Sequence, residues 1–339
     1  MPLSISATKQ FILTRTLQYL ATILSSVSIT YVIVKAMPVN ALEAMLEEIT
    51  RLGQVMDPES LKILRQTFYE MFGMSESPLE AYWKFLVRVF SFNFGPSLIS
   101  YGTRADELIF ARLPWTIGLL LVTILISWIV GNLLGIIAGY SPEKRLSKML
   151  ESVAITVYPI PYYILALLLV FIFAYCLRIF PMGGGMSIVS EQITLDVIIN
   201  IIWHSTLPAL SMVIPGALGW GFLSSKVLST NIRVEDYVRF AELRGVPHSI
   251  ILKRYVLRNI LPPQITNLAM SLGGIFNGAL LTEIIFAYPG VGSLLYRAIL
   301  CGDLNTLMGI AIFSIIGVTT AAFLLDLIYP LLDPRVRYR

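Results

Sequence analysis

Long apolar runs separated by short charged segments dominate the hydrophobic pattern of this chain. Six windows contain no charged residue, and each is long enough, at about 20 residues, to cross a bilayer as a helix. Because backbone groups in lipid must be hydrogen-bonded within their own segment, such runs predict helices. The sequence therefore predicts an all-α, polytopic membrane protein with six transmembrane helices. The windows are 16–34, 115–138, 153–177, 207–225, 264–282 and 304–325.

The composition supports a membrane protein. Apolar residues make up 56% of the 339 residues, only 14% are charged, and the mean hydropathy is +0.76. A soluble domain is usually about a quarter charged. The apolar run of the first window is longer than the about 7–15 residues of a signal-peptide core, so we expect a retained first span rather than a cleaved leader.

Basic residues predict the orientation, because short cytoplasmic loops are rich in Lys and Arg. With the N-terminus inside, the inner pieces collect most of the basic residues, whereas the two short outer loops hold only Arg178 and Arg297. Both termini are therefore predicted to be cytoplasmic, with the chain in a cell (plasma or inner) membrane. The net charge of +4 reflects this bias and attraction to anionic lipid headgroups, and it requires no nucleic-acid partner.

The chain divides into a membrane core and one sizeable outer segment. The outer segment has apolar spacing typical of helices, with breaks at Gly53 and at the Asp57-Pro58 pair. It holds no nucleophile–base pair, so we interpret it as a cap over the outer face. The predicted domains are 1–36 (cytoplasmic N-terminus and first span), 37–113 (extracytoplasmic helical segment) and 114–339 (five spans with a cytoplasmic loop at 229–262).

Several kinds of chemistry are poorly supported by the residues. His204 and His248 are predicted on opposite sides of the membrane, which argues against a His-based metal site. The chain has no G-x-x-x-x-G-K-[ST] motif, which argues against ATP binding through a P-loop. Glu283 and Asp326 are the only acids that touch the apolar windows, and both lie at window ends. We therefore expect a chain that catalyses no reaction itself and holds no metal or cofactor.

A strongly charged stretch lies between the fourth and fifth windows, and it is interrupted by Gly245 and Pro247. Asp236 is predicted to cap a short helix that runs to Arg244, and Gly245 supplies its left-handed stop. Pro247 then opens a second, amphipathic helix suited to the membrane surface. Ala241 and Gly245 are four residues apart on one helix face, where small residues let a partner approach closely. The alternative interpretation is a solvated connector that packs on the headgroups.

The stretch FAELRGV…RNILPP resembles the cytoplasmic loop motif of ABC importer permeases. The distance from Gly245 to Pro262 is seventeen residues, which is the spacing of the oligopeptide, dipeptide and nickel branch of that family. Other stretches are similar to the same branch and occur in the same order. They are RLPWTIGLLLV from Arg112, HSTLPALSM from His204, EDYVRFAELRG from Glu235, EIIFAYPGVGSLLYRAI from Glu283 and DLIYPLLDPRVR from Asp326.

The resemblance implies a type I ABC importer transmembrane domain and a permease of the first-permease type. It implies as partners a second homologous permease, two cytoplasmic ABC ATPases that bind ATP and Mg, and an extracytoplasmic solute-binding protein. The loop helix would enter a groove in an ATPase and pass its motion to the spans. The residues implied for ATPase coupling are Glu235, Asp236, Tyr237, Arg239, Ala241, Glu242, Arg244, Gly245 and Pro247.

The substrate and two other classes of function are left open by the residues. Phe240 stands in place of the first Glu of the motif, and Glu242 stands where that branch often has a basic residue. Peptide-branch permeases also serve oligosaccharides, so the solute is either an oligopeptide or dipeptide, or an oligosaccharide. A secondary transporter would need intramembrane acids. A non-transporting membrane assembly protein would need no coupling loop.

The sequence YPGVG at 288–292 predicts an outer turn or an outer gate. Its candidate residues are Tyr288, Pro289, Gly290 and Gly292. Cys176 and Cys301 are both predicted near the outer side, where two unpaired thiols are favoured over a disulfide.

Overall fold

The computed structural model of the protein describes residues 5–36, 77–100, 102–187 and 194–332. Within these ranges the chain is helical apart from turns, loops and one isolated bridge between Pro96 and Arg104. The predicted all-α class is therefore confirmed. The helix breaks predicted at Gly53 and at Asp57-Pro58 lie outside the described residues.

Helices of very different length follow one another along the chain. Three of them contain π-helical turns, which cover Val170–Cys176 in α5, Ala217–Gly221 in α6 and Ile251–Leu257 in α8. The helix bounds are α1 Ile5–Ala36, α2 Pro78–Phe90, α3 Ala105–Tyr140, α4 Arg145–Val157, α5 Tyr162–Cys176, α6 Leu195–Arg233, α7 Asp236–Leu243, α8 248–273, α9 Leu280–Ile285, α10 Val291–Cys301 and α11 Leu304–Leu332.

Local sequence explains several of the helix ends. The Ser77 side chain accepts a hydrogen bond from the Glu80 N–H at 3.4 Å, and the Thr194 hydroxyl does the same for Val197 at the start of α6. At the end of α10, Gly302 adopts a left-handed φ of 64°. Glycine reaches this conformation at little conformational energy because it has no Cβ atom. These caps satisfy helix-end groups that would otherwise lack a partner.

Four helices of the described chain are long and apolar enough to cross a membrane as single spans. They are α3, α6 and the segments Gln10–Ile33 of α1 and Leu304–Leu327 of α11. The third predicted window is not a straight helix, because α4 and α5 meet at a bend of 99°. Pro161, directly before α5, has no backbone N–H to continue the helix. Counting the bent pair as one span gives five.

The fifth predicted window is also wrong as a single helix. Residues 264–282 begin inside α8, but that helix ends at Gly273 and a short 3-10 turn follows over Gly274–Asn277. Gly278 then has a φ of 75°, a conformation that ends the helical path. The apolar pattern alone did not reveal this break, because Gly residues count as neutral positions in an apolar run.

The helices α3 and α6 pack closely against each other. Gly131, Gly135 and Gly139 repeat every four residues on α3 and form one stripe. A Cβ atom added to Gly131 would lie 2.5 Å from the carbonyl oxygen of Ala217, and the other two glycines meet α6 backbone at least as closely. Small residues let spans pack backbone to backbone, as transmembrane helices commonly do.

Hydroxyl groups of α6 hold the other side of this contact. Ser229 donates its hydroxyl proton to the Ile136 carbonyl at 2.9 Å, and Ser225 bonds to the Asn132 side chain. Both serines are fully buried. In an apolar bundle such bonds satisfy polar groups that lipid cannot satisfy.

The two terminal helices α1 and α11 run antiparallel. Arg15 forms an ion pair with Asp326 at 3.1 Å, and the Tyr19 hydroxyl lies 2.9 Å from the Thr320 hydroxyl. Early residues of α1 therefore contact late residues of α11. The start of α1 and the end of α11 consequently lie on the same side of the bundle.

A buried carboxylate fixes the loop before α3 to the start of α11. Asp303 is fully buried and accepts hydrogen bonds from the Ser97 hydroxyl at 2.5 Å and the Leu98 N–H at 2.8 Å. It also accepts the Thr306 N–H at 3.0 Å, which caps the first turn of α11. The beginnings of α3 and α11 are thus held together, at the end of the bundle opposite to α7.

Replacing Gly135 with alanine is expected to destabilise the purified chain by about 1–3 kcal/mol, because the added methyl overlaps backbone atoms of α6. Gly118→Ala is the matched control on the same helix, since a Cβ there meets no heavy atom within 4 Å. Thermal unfolding in detergent should give a lower midpoint temperature than wild type for Gly135→Ala, and an unchanged midpoint for Gly118→Ala. Equal midpoints for the two variants would contradict the close packing of α3 and α6.

Candidate functional site

The helix α7 lies between the long helix α6 and the helix α8. It begins at Asp236. The N-cap residue is Glu235, whereas the sequence predicted Asp236 at that position. Neither carboxylate caps the helix through its side chain in the structure. Asp236 instead lies in the first turn, where a negative charge interacts favourably with the helix dipole.

The end of α7 is a Schellman motif. Gly245 has a φ of 72°, and its N–H donates to the Glu242 carbonyl at 2.9 Å. The Val246 N–H donates to the Ala241 carbonyl at 3.1 Å, which completes the motif. The predicted role of Gly245 as a left-handed stop is confirmed. Pro247 follows at the N-cap position of α8, which begins at His248.

Ala241 faces the inside of the protein, so the small side chain predicted to let a partner approach packs against its own chain, and its part in ATPase coupling stays a prediction. It is 5% exposed and belongs with Val238 to a buried cluster that includes Ile251 and Ile260 of α8. Positions three apart on a helix share a face, so Val238 and Ala241 both point inward. The small side chain at 241 therefore lets α7 lie close to its own chain.

The outward face of α7 is apolar at its centre. Tyr237, Phe240 and Leu243 recur every three residues, with exposed fractions of 42%, 69% and 85%. Sequence analysis missed Phe240 and Leu243 as site residues, although their spacing carried the signal. The described residues provide no ion-pair partner for three charged side chains around this face, which are Arg239, Glu242 and Arg244.

Tyr237 connects α7 to α8. The Asn259 side-chain amide donates to the Tyr237 hydroxyl at 3.3 Å, and the Tyr237 ring stacks on Tyr255 with ring centroids 6.4 Å apart. The next link reaches α3, where the Tyr140 hydroxyl lies 2.9 Å from His248 Nδ1. Polar contacts therefore join α7 to α8, and α8 in turn to α3.

Ion pairs attach the end of α6 to the α3–α4 region. Arg233 donates to Glu143 at 3.1 Å, and Lys226 pairs with Glu151. A hydrogen bond from its own backbone N–H, together with the Arg233 guanidinium, holds the pKa of Glu143 below its ordinary value. The carboxylate therefore stays charged over a wide pH range.

The predicted outer turn lies at the opposite end of α3 and is tightly packed. The buried carboxylate of Glu283 accepts the Thr116 hydroxyl at 2.7 Å and the Ser293 N–H at 3.0 Å. The Val291 N–H donates to the same Thr116 hydroxyl at 2.8 Å. The turn thus encloses a buried acid that the sequence placed at a membrane interface.

The residues predicted for this turn are mostly buried, and two of them leave no room for a side chain. A Cβ on Gly290 or Gly292 would overlap the Glu283 carboxylate. Tyr288 is 3% exposed, and its hydroxyl lies 3.0 Å from that of Ser205. The Pro289 ring would lie 2.5 Å from a Cβ on Gly185.

The structure does not bring the two predicted sites together. They contact α3 at Thr116 and at Tyr140, which are 24 residues and therefore about 36 Å apart along the helix. Cys176 and Cys301 are both exposed and carry free thiols. In the described part of the chain, no group of three His, Cys, Asp or Glu residues is placed to hold a metal ion.

These features define a polytopic helical membrane protein with a short helix presented between the helices α6 and α8. A family model described as "Binding-protein-dependent transport system inner membrane component" matches residues 131–338. Because this match covers more than half of the chain, the protein belongs to that family. The helical bundle is accordingly the membrane domain of a type I ABC importer.

Curated relatives extend the similarity over nearly the whole chain. The chain is 27% identical over 329 residues to the oligopeptide transport system permease protein AppB of Bacillus subtilis (strain 168). This match covers 97% of this chain and 99% of that protein. It is 28% identical over 320 residues to the dipeptide transport system permease protein DppB of the same organism, covering 94% of each. Its identity to the probable D,D-dipeptide transport system permease protein DdpB of Escherichia coli (strain K12) is 28% over 285 residues, or 79% of this chain and 82% of that protein.

Family membership establishes a multi-pass transport component that is not the catalytic subunit of its system. It also implies the general partners of a binding-protein-dependent importer. The alternatives of a secondary transporter and of a non-transporting assembly protein do not describe this family.

The backbone conformation of Gly245, rather than space, is expected to limit substitution there. A Cβ at this position meets no heavy atom within 4 Å, but a left-handed φ costs most residues about 1–2 kcal/mol. Gly245→Val should therefore displace α7 and reduce binding-protein-dependent uptake, whereas Gly245→Asn should stay near wild type because Asn tolerates this conformation. Equal uptake by the Val and Asn variants would show that the left-handed stop is unimportant.

Proposed function

We propose that this chain is one of two homologous permease subunits of an ATP-driven importer for oligopeptides or dipeptides. The single observation that carries the proposal is the outward apolar face of α7, at Tyr237, Phe240 and Leu243, presented by a member of an importer family. Apolar side chains at regular helical spacing are typical of a helix face that packs against another surface. The partners would be a second permease, two ATPases and an extracytoplasmic solute-binding protein.

In this proposal α7 and both chain termini face the cytoplasm. The antiparallel packing of α1 on α11 supports a common side for the termini, because Arg15 pairs with Asp326. The excess of Lys and Arg on the same side supports a cytoplasmic location. The turn at Glu283 then faces the outside, where the binding protein delivers solute.

The apolar face of α7 would enter a groove in one ATPase subunit. Phe240 and Leu243 would fill the groove, and the exposed charges of Arg239, Glu242 and Arg244 would pair with charges on its rim. Buried aromatic and aliphatic anchors with a polar rim are typical of such interfaces. ATP and Mg would bind to the ATPase subunits and not to this chain.

Motion of the ATPase would reach the spans through α8. Val238 and Ala241 pack on Ile251 and Ile260, so a displacement of α7 presses directly on that helix. The hydrogen bond from Asn259 to Tyr237 adds a polar link between the two. Because packed helices have low compressibility, we expect α7 and the adjoining half of α8 to move as one body.

The turn at 288–292 would have a static role at the outer face. Glu283, Thr116 and the backbone of the turn form hydrogen bonds that a moving gate would have to break. Breaking them would leave a buried carboxylate without donors, which is costly. We therefore assign Tyr288, Pro289, Gly290 and Gly292 to holding the outer ends of α3 and α10 in place.

Peptides are favoured over oligosaccharides as the substrate. The relatives reported above carry the names of oligopeptide, dipeptide and D,D-dipeptide permeases, and the match to the first of them spans almost the whole chain. The binding protein would set most of the specificity. Ligand screening of that partner with short peptides and with oligosaccharides separates the two substrates.

Replacing Leu243 with aspartate is expected to reduce solute uptake at least about tenfold, because it puts a charge on the apolar face. The side chain is 85% exposed, so the stability of the chain itself should not change. Leu243→Met is the matched control, since it keeps an apolar side chain of similar volume. The measurement is ATPase co-purification together with uptake in proteoliposomes. Wild-type uptake by Leu243→Asp would rule out this docking face.

A further inference from the structure

A cavity of about 260 Å³ lies between α3, α6 and α8, away from both sites described above, and its wall is mainly apolar with several polar side chains. Each of the three helices contributes polar or aromatic groups to its wall, and none of the wall residues carries a charge. The main contributors are Ser127 and Trp128 of α3, Trp220 of α6, and Gln264, Asn267 and Ser271 of α8.

The cavity lies near the middle of the spans. Trp128 is 12 residues from the end of α3 at Tyr140, and Trp220 is 13 residues from the end of α6 at Arg233. At a rise of about 1.5 Å per residue, both positions are about 18–20 Å from the end that presents α7. Transporters commonly place their solute sites at such a depth, next to irregular helix backbone. The π-helical turn Ala217–Gly221 of α6 provides that irregular backbone here.

One wall of the cavity is rigidly hydrogen-bonded. Gln264 is 1% exposed, and its amide donates to the Ser224 hydroxyl at 3.1 Å. Trp128 donates its indole N–H to the Gln264 carbonyl at 2.8 Å, which joins α3 to α8. These bonds fix the position of α8 beside the cavity.

Asn267 differs from Gln264 and Trp128 in its hydrogen bonding. It lines the cavity three residues after Gln264, yet the described residues provide no hydrogen-bond partner for its side-chain amide. A side-chain amide offers two donors and one acceptor oxygen, and leaving them unpaired in a membrane interior is costly. The Asn267 amide is therefore available to a molecule in the cavity.

We propose that this cavity is the half of the solute path contributed by this chain, and that Asn267 binds the main-chain amides of an extended peptide as it passes. The inference rests on the proposed function and deepens it. An amide side chain can donate to a peptide carbonyl and accept from a peptide N–H at once. The hydroxyls of Ser127 and Ser271 would serve the same main-chain groups.

The uncharged wall fits a peptide carrier. Peptides differ in their side chains and share their main chain, so amide and hydroxyl groups recognise every peptide alike. A charged wall residue would hold peptides of opposite charge and repel those of like charge. The volume of about 260 Å³ is slightly below the about 300–1,000 Å³ of complete ligand pockets, as expected for half of a path that a second permease completes.

The same helix carries Asn267 and the contacts to α7. Asn259 bonds to Tyr237 two turns before Asn267, with Pro262 and Pro263 inside the helix between them. Pro residues weaken the backbone hydrogen bonding of a helix and permit it to bend. Movement of α7 would therefore shift Asn267 relative to α3 and change the hydrogen bonding of the Asn267 amide to a peptide.

The first test is transport by the assembled complex in proteoliposomes, with a radiolabelled mixture of short peptides as the probe. Asn267→Leu keeps the side-chain shape but loses the amide, and it should lower peptide uptake about threefold to tenfold while stimulated ATP hydrolysis remains. Thr266→Val is the matched control, since the Thr266 hydroxyl bonds to its own helix at the Pro262 carbonyl and lies outside the cavity wall. It should transport like the wild type.

The second test measures access without relying on transport rate. Asn267→Cys is placed in a background in which the exposed Cys176 and Cys301 are replaced by serine. A membrane-impermeant thiol reagent should label this cysteine, and excess peptide mixture during turnover should slow the labelling. Thr266→Cys should label poorly in both conditions.

The outcomes separate the inference from the function on which it rests. If the wild-type complex imports peptide while Asn267→Leu matches Thr266→Val and Asn267→Cys resists labelling, the path assignment is wrong and the proposed function stands. If the wild-type complex imports oligosaccharides and no peptides, the proposed substrate and the role of Asn267 both fail.

Discussion

The backbone-to-backbone contact between α3 and α6 is the constraint on which the rest of the structure depends. Three glycines of α3 leave no space for a side chain against α6, and Ser225 and Ser229 bond across the same contact. Both helices are spans, and α7 is presented directly after the end of α6. The close contact therefore sets the position from which α7 projects and forms two sides of the central cavity.

The polar groups at the two ends and in the middle of the bundle differ in whether the chain itself provides their hydrogen-bond partners. At the end opposite to α7, Glu283 and Asp303 are buried and surrounded by donors from Thr116, Ser97 and the backbone, which holds that end fixed. On α7, Phe240 and Leu243 are exposed, and the described residues provide no ion-pair partner for Arg239, Glu242 and Arg244. In the middle, the Asn267 amide faces a cavity. A fixed end, a central cavity and an exposed helix at the other end fit the importer mechanism proposed above.

Sequence reasoning recovered the features that depend on local residues. Uncharged runs predicted the long spans, and Gly245 between a charged helix and Pro247 predicted the left-handed stop. It failed where the outcome depends on packing between helices. Ala241 was assigned to the outward face because two small residues lie four apart, but Gly245 lies beyond the helix end and Ala241 packs against Ile251 and Ile260. The bend at Pro161 and the break at Gly278 were hidden in apolar runs. The cavity needs three helices that are distant in sequence, so no local pattern could have predicted it.

The central claim is that α7 and the adjoining half of α8 move as one body when the ATPases act. A short thiol-reactive bridge between Tyr237→Cys and Asn259→Cys, with both native cysteines replaced, tests it most directly, because the parent side chains are in contact at 3.3 Å. Uptake is compared with and without the bridge in complexes that retain their ATPases. The account predicts that bridged complexes transport at nearly the unbridged rate. Loss of uptake on bridging, with the ATPases still bound, would contradict it.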